Sequence, residues 1–143
     1  MPLVLAHRGA NKVAPQNTLP AFEKAIQFNA DGIETDVHLC KDGEIVICHN
    51  YTVDATSNGK GVIDDMTFDE LRKLDFGSYF NSDFAGVTLP ELCELIEVVK
   101  DMTLINIEIK SPPTKNDIVK RTIDEIYKYG IEKNTIISCF NPE

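Results

Sequence analysis

Residues 33–39 read Ile-Glu-Thr-Asp-Val-His-Leu, and the alternation of residue types along this stretch decides the fold. Successive side chains of a β-strand point to opposite faces, so the apolar residues share one face with Thr35. Glu34, Asp36 and His38 share the other face. Two carboxylates on one face of an otherwise apolar strand are costly unless they bind a cation or reach water. The stretch therefore predicts either a cation site or the solvated face of an edge strand.

A second strand, predicted over residues 104–109, repeats this arrangement. Asn106, Glu108 and the following Lys110 share one face, and isoleucines occupy the other. Two strands that independently present acids among β-branched residues favour the cation site over the solvated edge. Because Mg²⁺ and Ca²⁺ prefer oxygen ligands, Glu34, Asp36 and Glu108 would suit one hard divalent cation.

Two short apolar strands end directly at a histidine. Residues 3–6 run into His7 and Arg8, and residues 45–48 run into His49. Imidazole transfers protons near neutral pH, and a guanidinium holds a phosphate or carboxylate through two hydrogen bonds. A lone histidine is more often a hydrogen-bonded structural residue. Two histidines beside a set of carboxylates, however, can act as acid and base in one displacement at phosphorus.

Strands and helices alternate along the chain with short connections, which is typical of an α/β fold. An Asp-Gly pair at residues 42–43 predicts a hairpin between the second and third strands. Two capping boxes, Thr67 with Glu70 and Thr88 with Glu91, predict the starts of two helices. The expected strands are residues 3–6, 33–39, 45–48, 104–109 and 135–139, and the expected helices include residues 18–29 and 117–129.

Composition and charge narrow the class of protein. The chain has 143 residues, of which 43% are hydrophobic and 26% are charged, so it can form one domain with a continuous core. Its formal net charge is −9 and it has no basic stripe, which argues against nucleic acid as a main partner. An anionic substrate would therefore need local neutralisation by arginine, lysine or a metal cation.

The apolar stretches and the cysteines indicate where in the cell the protein is expected. No apolar stretch reaches spanning length, and the N-terminal run is too short for a signal-peptide core, so we expect no stable membrane insertion. The four cysteines have no C-x-x-C pair and no zinc-like spacing, which favours free thiols in a reducing compartment. A bridge between Cys40 and Cys48 under oxidising conditions stays an alternative. We expect a soluble, cytoplasmic protein.

The chain resembles the glycerophosphodiester phosphodiesterases in the order and spacing of its motifs from residue 3 to the C-terminus. These motifs are His7-Arg8-Gly9, the Ala-Pro-Gln-Asn-Thr loop at 14–18, and residues 32–37, 41–43, His49, 59–61, 88–92 and 107–110. The first triplet alone is a weak signature, whereas the full series in register is specific. The family folds as a (β/α)₈ TIM barrel. The resemblance therefore implies a partial TIM-barrel phosphodiesterase domain over residues 1–143, covering about the first five strands.

The resemblance also implies a role for each candidate residue. His7 and His49 would be the catalytic acid and base, and Arg8 and Lys110 would bind the substrate phosphate. The three carboxylates would hold one divalent cation, Mg²⁺ or Ca²⁺. The implied reaction is metal-dependent hydrolysis of a small-molecule glycerophosphodiester to glycerol 3-phosphate and an alcohol. In that scheme the neighbouring glycerol hydroxyl attacks phosphorus, and water opens the cyclic intermediate.

Three departures from the family pattern matter. Gln16 stands where the family has Glu in a Pro-Glu-Asn-Thr loop, which would weaken one acidic contact near the cation. Asn50 replaces the aspartate that usually follows His49, which would alter how that imidazole is oriented. A family barrel needs eight strands and ~250 residues, so we expect a fragment or a natural truncation. A second copy of the chain, in a homo-oligomer, could cover the open sheet edges.

Two alternatives to the hydrolase stay open. The first is a non-catalytic, incomplete barrel that binds metal and phosphate without turnover. The second is a related phospholipase-type lyase that stops at the cyclic phosphate. Residues 51–87 are expected to be an inserted segment over the barrel mouth, with aromatic residues as its core. His38 is expected to have a peripheral role, and the glycine-rich residues 58–61 are expected to form a turn rather than a phosphate loop.

Overall fold

The computed structural model describes residues 1–110 and 117–140, and within these ranges the chain forms one sheet flanked by helices. The strands are β1 (Leu5–His7), β2 (Gly32–Leu39), β3 (Ile45–Ile47), β4 (Leu104–Ile109) and β5 (Thr135–Cys139). The α-helices are α1 (Leu19–Gln27), α2 (Phe68–Arg72), α3 (Leu92–Val99) and α4 (Asp117–Tyr129). Short 3₁₀ helices lie at Ile63–Asp65, Ser82–Phe84 and Glu132–Asn134.

The sheet is built on a parallel path with the order β1-β2-β4-β5, and helices connect its successive strands. This order confirms the predicted α/β class. Gly32 begins β2 directly beside β4: a Cβ at this position would lie 2.1 Å from the carbonyl oxygen of Leu104. Glycine is therefore the residue that allows these two strands to pair from their first residues.

Strand β3 occupies the same edge of β2 as β1 does, but further along. β1 pairs with β2 in parallel as far as His7 opposite Glu34, whereas β3 pairs antiparallel with the last residues of β2. Backbone hydrogen bonds extend the two ladders towards each other, from Arg8 N to Glu34 O at 2.9 Å and from Cys48 N to Asp36 O at 3.1 Å. The ends of β1 and β3 therefore meet beside the middle of β2.

The main core lies between the sheet and helices α1, α3 and α4. It takes the outer-face residues of the strands, such as Ile33, Val37 and Ile107, which are all buried. Burial of each such side chain is worth about 1.5–3 kcal/mol relative to its exposure, so this one-sided apolar face fixes the register of the strands.

A second core lies beneath residues 51–87. It includes Val53, Ile63, Leu71 and Phe76 from that segment, packed with Val46 of β3. Since Ile45 and Ile47 belong to the main core, the segment covers the opposite face of β3. Phe76 in the core agrees with the sequence expectation, but Tyr79 is exposed and does not belong to this core.

Of the two predicted capping boxes, one differs from the structure. The capping box expected at Thr88 and Glu91 is wrong: Glu91 is itself the N-cap of α3, and Glu94 completes the box, because residues 88–90 remain extended. The capping box of Thr67 and Glu70 is present. Within the described residues no helix has the length and apolarity needed to cross a bilayer.

Candidate functional site

The strand register brings the three predicted carboxylates together at the carboxyl end of the sheet. Asp36 of β2 lies opposite Glu108 of β4, and Glu34 lies one inward-facing position earlier on β2. One carboxylate oxygen from each residue lies within 4.8 Å of the others. Asp36 is fully buried, whereas Glu34 and Glu108 are partly accessible. This set of oxygens on rigid strands fits a hard divalent cation.

Two basic side chains balance the carboxylates. Lys110 Nζ lies 2.6 Å from Glu108 Oε1 and 3.5 Å from Asp36 Oδ1, and Arg8 Nε lies 3.6 Å from Asp36 Oδ2. Among the described residues, Asp36 Oδ1 and Glu108 Oε1 accept no hydrogen bond of good geometry, so their contacts with Lys110 are ion pairs. Lys110 therefore faces the oxygens of Asp36 and Glu108 that a bound cation would also contact.

The loop between β1 and α1 positions Arg8. Its backbone is left-handed, with a φ of 56°, and the following Gly9 has a φ of 78°. A Cβ on Gly9 would lie 2.7 Å from the carbonyl carbon of Ala21, so only glycine lets the loop pass this close to α1. Gln16 then holds the guanidinium, since Arg8 Nη1 donates to Gln16 Oε1 at 2.9 Å. Gln16 thus contacts the arginine and supplies a neutral oxygen there.

The two predicted imidazoles lie at the facing ends of β1 and β3. His7 Nε2 is 3.7 Å from Glu34 Oε2, and its side chain is 62% exposed. His49 follows directly after Cys48, whose N–H donates to the carbonyl of Asp36. His49 Nδ1 lies 2.8 Å from Asn50 Oδ1, so the Asn50 amide takes the orienting position that a carboxylate would otherwise occupy. All seven predicted site residues therefore lie at one end of the sheet.

The electrostatics of the site follow from burial and from this clustering of charge. Burial raises the pKa of Glu34 to about 7, and the neighbouring Asp36 charge adds to the effect. Burial lowers the pKa of His7, and the adjacent Arg8 guanidinium lowers it further. Burial also acts to lower the pKa of Lys110, but its ion pairs with Glu108 and Asp36 outweigh this and raise it. A group near neutral pKa at such a place is typical of functional sites.

Sequence reasoning missed one residue at the centre of the site. Asn17 is buried, and its Nδ2 donates to Asp36 Oδ2 at 3.0 Å, while its Oδ1 accepts from the Thr35 hydroxyl at 3.0 Å. Its backbone N–H donates to the carbonyl of Arg8. Asn17 thus forms hydrogen bonds with Asp36 on one face of β2 and with Thr35 on the other. It does so at the edge of β2 that lies between the ends of β1 and β3. Its membership of the loop at residues 14–18 was the one available signal.

His38, expected to be peripheral, is instead fully buried. Its ring lies edge-on to that of Tyr51, and its Nε2 is 3.4 Å from the carbonyl oxygen of His49. The segment at residues 51–87 covers the far end of β2, so His38 is buried although its expected peripheral role stays a prediction.

Comparison with known proteins identifies the family. The model of the glycerophosphoryl diester phosphodiesterase family matches residues 7–143, from the first site histidine onwards. The chain belongs to the glycerophosphoryl diester phosphodiesterase family. A glycerophosphodiester phosphodiesterase from Caldanaerobacter subterraneus subsp. tengcongensis is 47% identical over 141 residues, which cover 97% of this chain and 58% of that protein.

Solved structures agree with this assignment. A phosphodiesterase from Oleispira antarctica, in complex with the product sn-glycerol-3-phosphate, superposes with a TM-score of 0.93 at 32% identity. A glycerophosphodiester phosphodiesterase from Agrobacterium tumefaciens superposes with a TM-score of 0.89 at 33% identity. In both cases the match covers 99% of this chain and 59% of the other. The chain thus spans about three fifths of these relatives, and the prediction of a TIM-barrel fold covering about the first five strands is confirmed.

Proposed function

We propose that this chain carries the catalytic residues of a glycerophosphodiester phosphodiesterase and hydrolyses glycerophosphodiesters to glycerol 3-phosphate and an alcohol. The observation that carries the proposal is the convergence of two imidazoles, two basic side chains and three carboxylates where β1 and β3 meet beside β2. The basic side chains are the Arg8 guanidinium and the Lys110 ammonium. Family membership supports the same substrate class. So does the product sn-glycerol-3-phosphate in the Oleispira antarctica relative.

Neutralisation of the phosphodiester is the first requirement. In a chain of net charge −9, Arg8 and Lys110 supply positive charge next to the carboxylates. We assign the substrate phosphate to these two side chains, because a preorganised guanidinium and ammonium stabilise charge that grows on the phosphoryl oxygens. Gln16 holds Arg8 in place by accepting a hydrogen bond from its Nη1.

Glu34, Asp36 and Glu108 are the residues that we propose to hold one divalent cation, Mg²⁺ or Ca²⁺. Their oxygen donors, partial accessibility and rigid strand positions fit such an ion. When bound, the cation would supply Lewis-acid polarisation of a phosphoryl oxygen.

His7 and His49 would move the protons. One imidazole takes the proton of the glycerol hydroxyl next to the phosphate as that oxygen bonds to phosphorus. The other donates a proton to the departing alkoxide as its bond to phosphorus breaks. With the roles exchanged, water then adds to the cyclic phosphate and opens it to glycerol 3-phosphate. Because His49 Nδ1 faces the Asn50 oxygen, its Nε2 is the atom left for this exchange.

Residues 51–87 would form the segment over the barrel mouth, where we propose that they cover the alcohol group of the bound substrate.

Exposed apolar residues such as Val4 beside β1 and Ile136 on β5 mark the open edges of the sheet. We propose that a second copy of the 143-residue chain covers these edges, which light scattering would detect as a dimer.

The thiols of Cys40 and Cys48, which form no disulfide, support a reducing, cytoplasmic location.

The test is release of glycerol 3-phosphate from glycerophosphocholine by the 143-residue chain with Mg²⁺, with Ca²⁺ and with EDTA. We expect activity with a divalent cation, its loss in EDTA, and a fall of about 10²–10⁴-fold in the variant His7→Ala. Lys12→Ala, which changes an exposed residue of the same loop, is the matched control.

Product analysis separates the alternatives. Accumulation of a cyclic glycerophosphate in place of glycerol 3-phosphate would assign the chain to the lyases. A folded chain that binds the cation but releases neither product would be a binding module with an incomplete barrel, and the proposal would then be wrong for this chain.

A further inference from the structure

His38 is a buried polar group for which the proposed chemistry has no use. It lies on the inward face of β2, two residues after Asp36, and none of its surface is accessible. Burial of an imidazole is costly unless its ring nitrogens are hydrogen-bonded, so its place here calls for a function that an apolar residue would not serve.

The partner of His38 is the backbone of a proposed catalytic residue. His38 Nε2 lies 3.4 Å from the carbonyl oxygen of His49. The antiparallel ladder between β2 and β3 is extended by the bond from Cys48 N to Asp36 O, after which the chain turns away from the sheet. The carbonyl of His49, the residue after Cys48, therefore lies against a side-chain nitrogen just beyond the point where regular pairing stops.

The chemistry of this contact fixes the form of the ring. A carbonyl oxygen can only accept, so Nε2 must carry the proton. Among the described residues, Nδ1 of His38 has no hydrogen-bond partner. The ring also lies edge-on to Tyr51 with centroids 5.1 Å apart and an interplanar angle of 81°. His38 thus contacts both ends of the short stretch 49–51.

We propose that His38 is a positioning residue, whose Nε2–H holds the carbonyl of His49, and whose ring packs against Tyr51, so that the His49 imidazole stays beside the carboxylates. Whereas His38 holds the backbone of His49, Asn50 orients its imidazole through the contact between Asn50 Oδ1 and His49 Nδ1. The kinetic consequence rests on the proposed role of His49 in proton transfer. The structural consequence does not, and it can be measured without turnover.

Imidazole NMR gives a direct test, because the chain has only three histidines. Long-range ¹H–¹⁵N correlation spectra of the labelled wild-type chain at neutral pH would report the tautomer of each ring. We expect the Nε2–H tautomer for His38. The Nδ1–H tautomer would overturn the proposal, because that ring could not donate to the carbonyl. The measurement uses the wild-type chain, so it does not depend on the folding of a variant.

Two substitutions then separate positioning from packing. His38→Gln keeps an N–H donor that can reach the carbonyl, whereas His38→Met keeps bulk without a donor. In His38→Met we expect displaced His49 ring resonances, unchanged His7 resonances, and a kcat lower by about ten- to a hundredfold with KM changed less than about twofold. In His38→Gln the His49 resonances and kcat should be close to wild type.

Thr122→Val, which alters a buried polar side chain on α4, controls for a general effect of changing a buried group. The proposal is overturned if His38→Met leaves the His49 resonances in place, or if Gln and Met at position 38 displace them equally. A wild-type chain without turnover would contradict the proposed function alone, because the resonances of His49 still decide whether His38 positions it.

Discussion

Asn17 Nδ2 donates a hydrogen bond to Asp36 Oδ2 at 3.0 Å, and this contact fixes the most buried carboxylate of the site. The Thr35 hydroxyl donates to the other end of the same amide, so the orientation of Asn17 is set from both sides. Asn17 has a φ of 56°, a left-handed conformation that asparagine tolerates better than most residues. The loop thus supplies the donor that Asp36 lacks within its own sheet.

Asn17→Ala is therefore expected to weaken both the fold and cation binding. It leaves a buried carboxylate oxygen without its donor, which costs about 1–3 kcal/mol in the free energy of unfolding. Loss of an orienting contact to a metal ligand typically weakens metal affinity about 10- to 100-fold. Urea unfolding and Mg²⁺ titration calorimetry measure the two effects.

Two further variants sharpen this test. Asn17→Asp has the same size but turns an acceptor towards Asp36, so it should be more damaging than Asn17→Ala. Asn11→Ala, in the same loop, should change neither quantity. An Asn17→Asp chain as stable as wild type would show that the amide does not donate to Asp36.

Glu34 makes cation binding pH-dependent. Its pKa of about 7, raised by burial and by Asp36, means that a proton competes with the cation for this carboxylate. Mg²⁺ affinity should fall by about tenfold for each pH unit below 7 and level off above it. Calorimetric titrations between pH 5.5 and 8.5 would show this slope of roughly one decade per pH unit. Glu34→Gln should lose the slope together with most of the affinity.

The same group has an opposite effect on the metal-free fold. Between its ordinary pKa of 4.5 and about 7, folded Glu34 holds a proton that the unfolded chain has released. The folded state binds more protons in that window, so its stability falls as pH rises through it. Urea unfolding in EDTA should show this decline, and Glu34→Gln should flatten it. Glu97→Gln, which alters an exposed acid on α3, should leave the decline unchanged.

Much of the candidate site follows from strand alternation alone. Period-two patterning places Glu34 and Asp36 on one face of β2, and the same rule places Glu108 and Lys110 on one face of β4. Parallel strands whose apolar faces share one core align at their carboxyl ends, so these residues meet without any knowledge of loops. The α/β class was predictable from the alternation of strands and helices, and the hairpin before β3 from the Asp-Gly pair at residues 42–43.

The rest depends on contacts that have no sequence period. Asn17 lies in a loop, where no alternation marks which side chain faces the sheet. His38 is buried by the segment at residues 51–87, which is remote in sequence from β2. The helix start at Glu91 was misplaced because Thr88 and Glu91 fit the Ser/Thr capping pattern, whereas the observed box of Glu91 and Glu94 has a glutamate at the N-cap, which that pattern does not predict.

Lys110 is expected to compete with the cation. Its ammonium lies 2.6 Å from Glu108 Oε1 and 3.5 Å from Asp36 Oδ1, so it neutralises the carboxylates that we assign to the cation. Lys110→Met should destabilise the EDTA-treated chain, at most by about 3 kcal/mol, and should tighten Mg²⁺ binding about tenfold. Lys100→Met, which removes an exposed ion pair with Glu97, is the matched control. Weaker Mg²⁺ binding in Lys110→Met would contradict this competition.

Asp75 holds together the turn that carries Tyr79. Its carboxylate accepts from the backbone N–H groups of Gly77 at 2.8 Å, Ser78 at 2.9 Å and Gly86 at 3.0 Å, and from the Ser78 hydroxyl at 2.6 Å. The bonds from Ser78, with those from Gly77 and Gly86, hold the pKa of Asp75 far below its usual range. An ionised carboxylate is required, because an amide offers only one oxygen to these donors.

The sign of the pH effect follows from that lowered pKa. The stabilisation is fully present above the ordinary aspartate pKa of 3.8, and it is lost as pH falls below it towards the folded-state value. Asp75→Asn should therefore lower the thermal midpoint most at neutral pH, and the gap to wild type should narrow as the solution is taken to pH 3 and below. Asp83→Asn, in the neighbouring 3₁₀ helix, should show no such convergence. If the gap between Asp75→Asn and wild type stayed constant across that range, the carboxylate charge would not be what holds the turn.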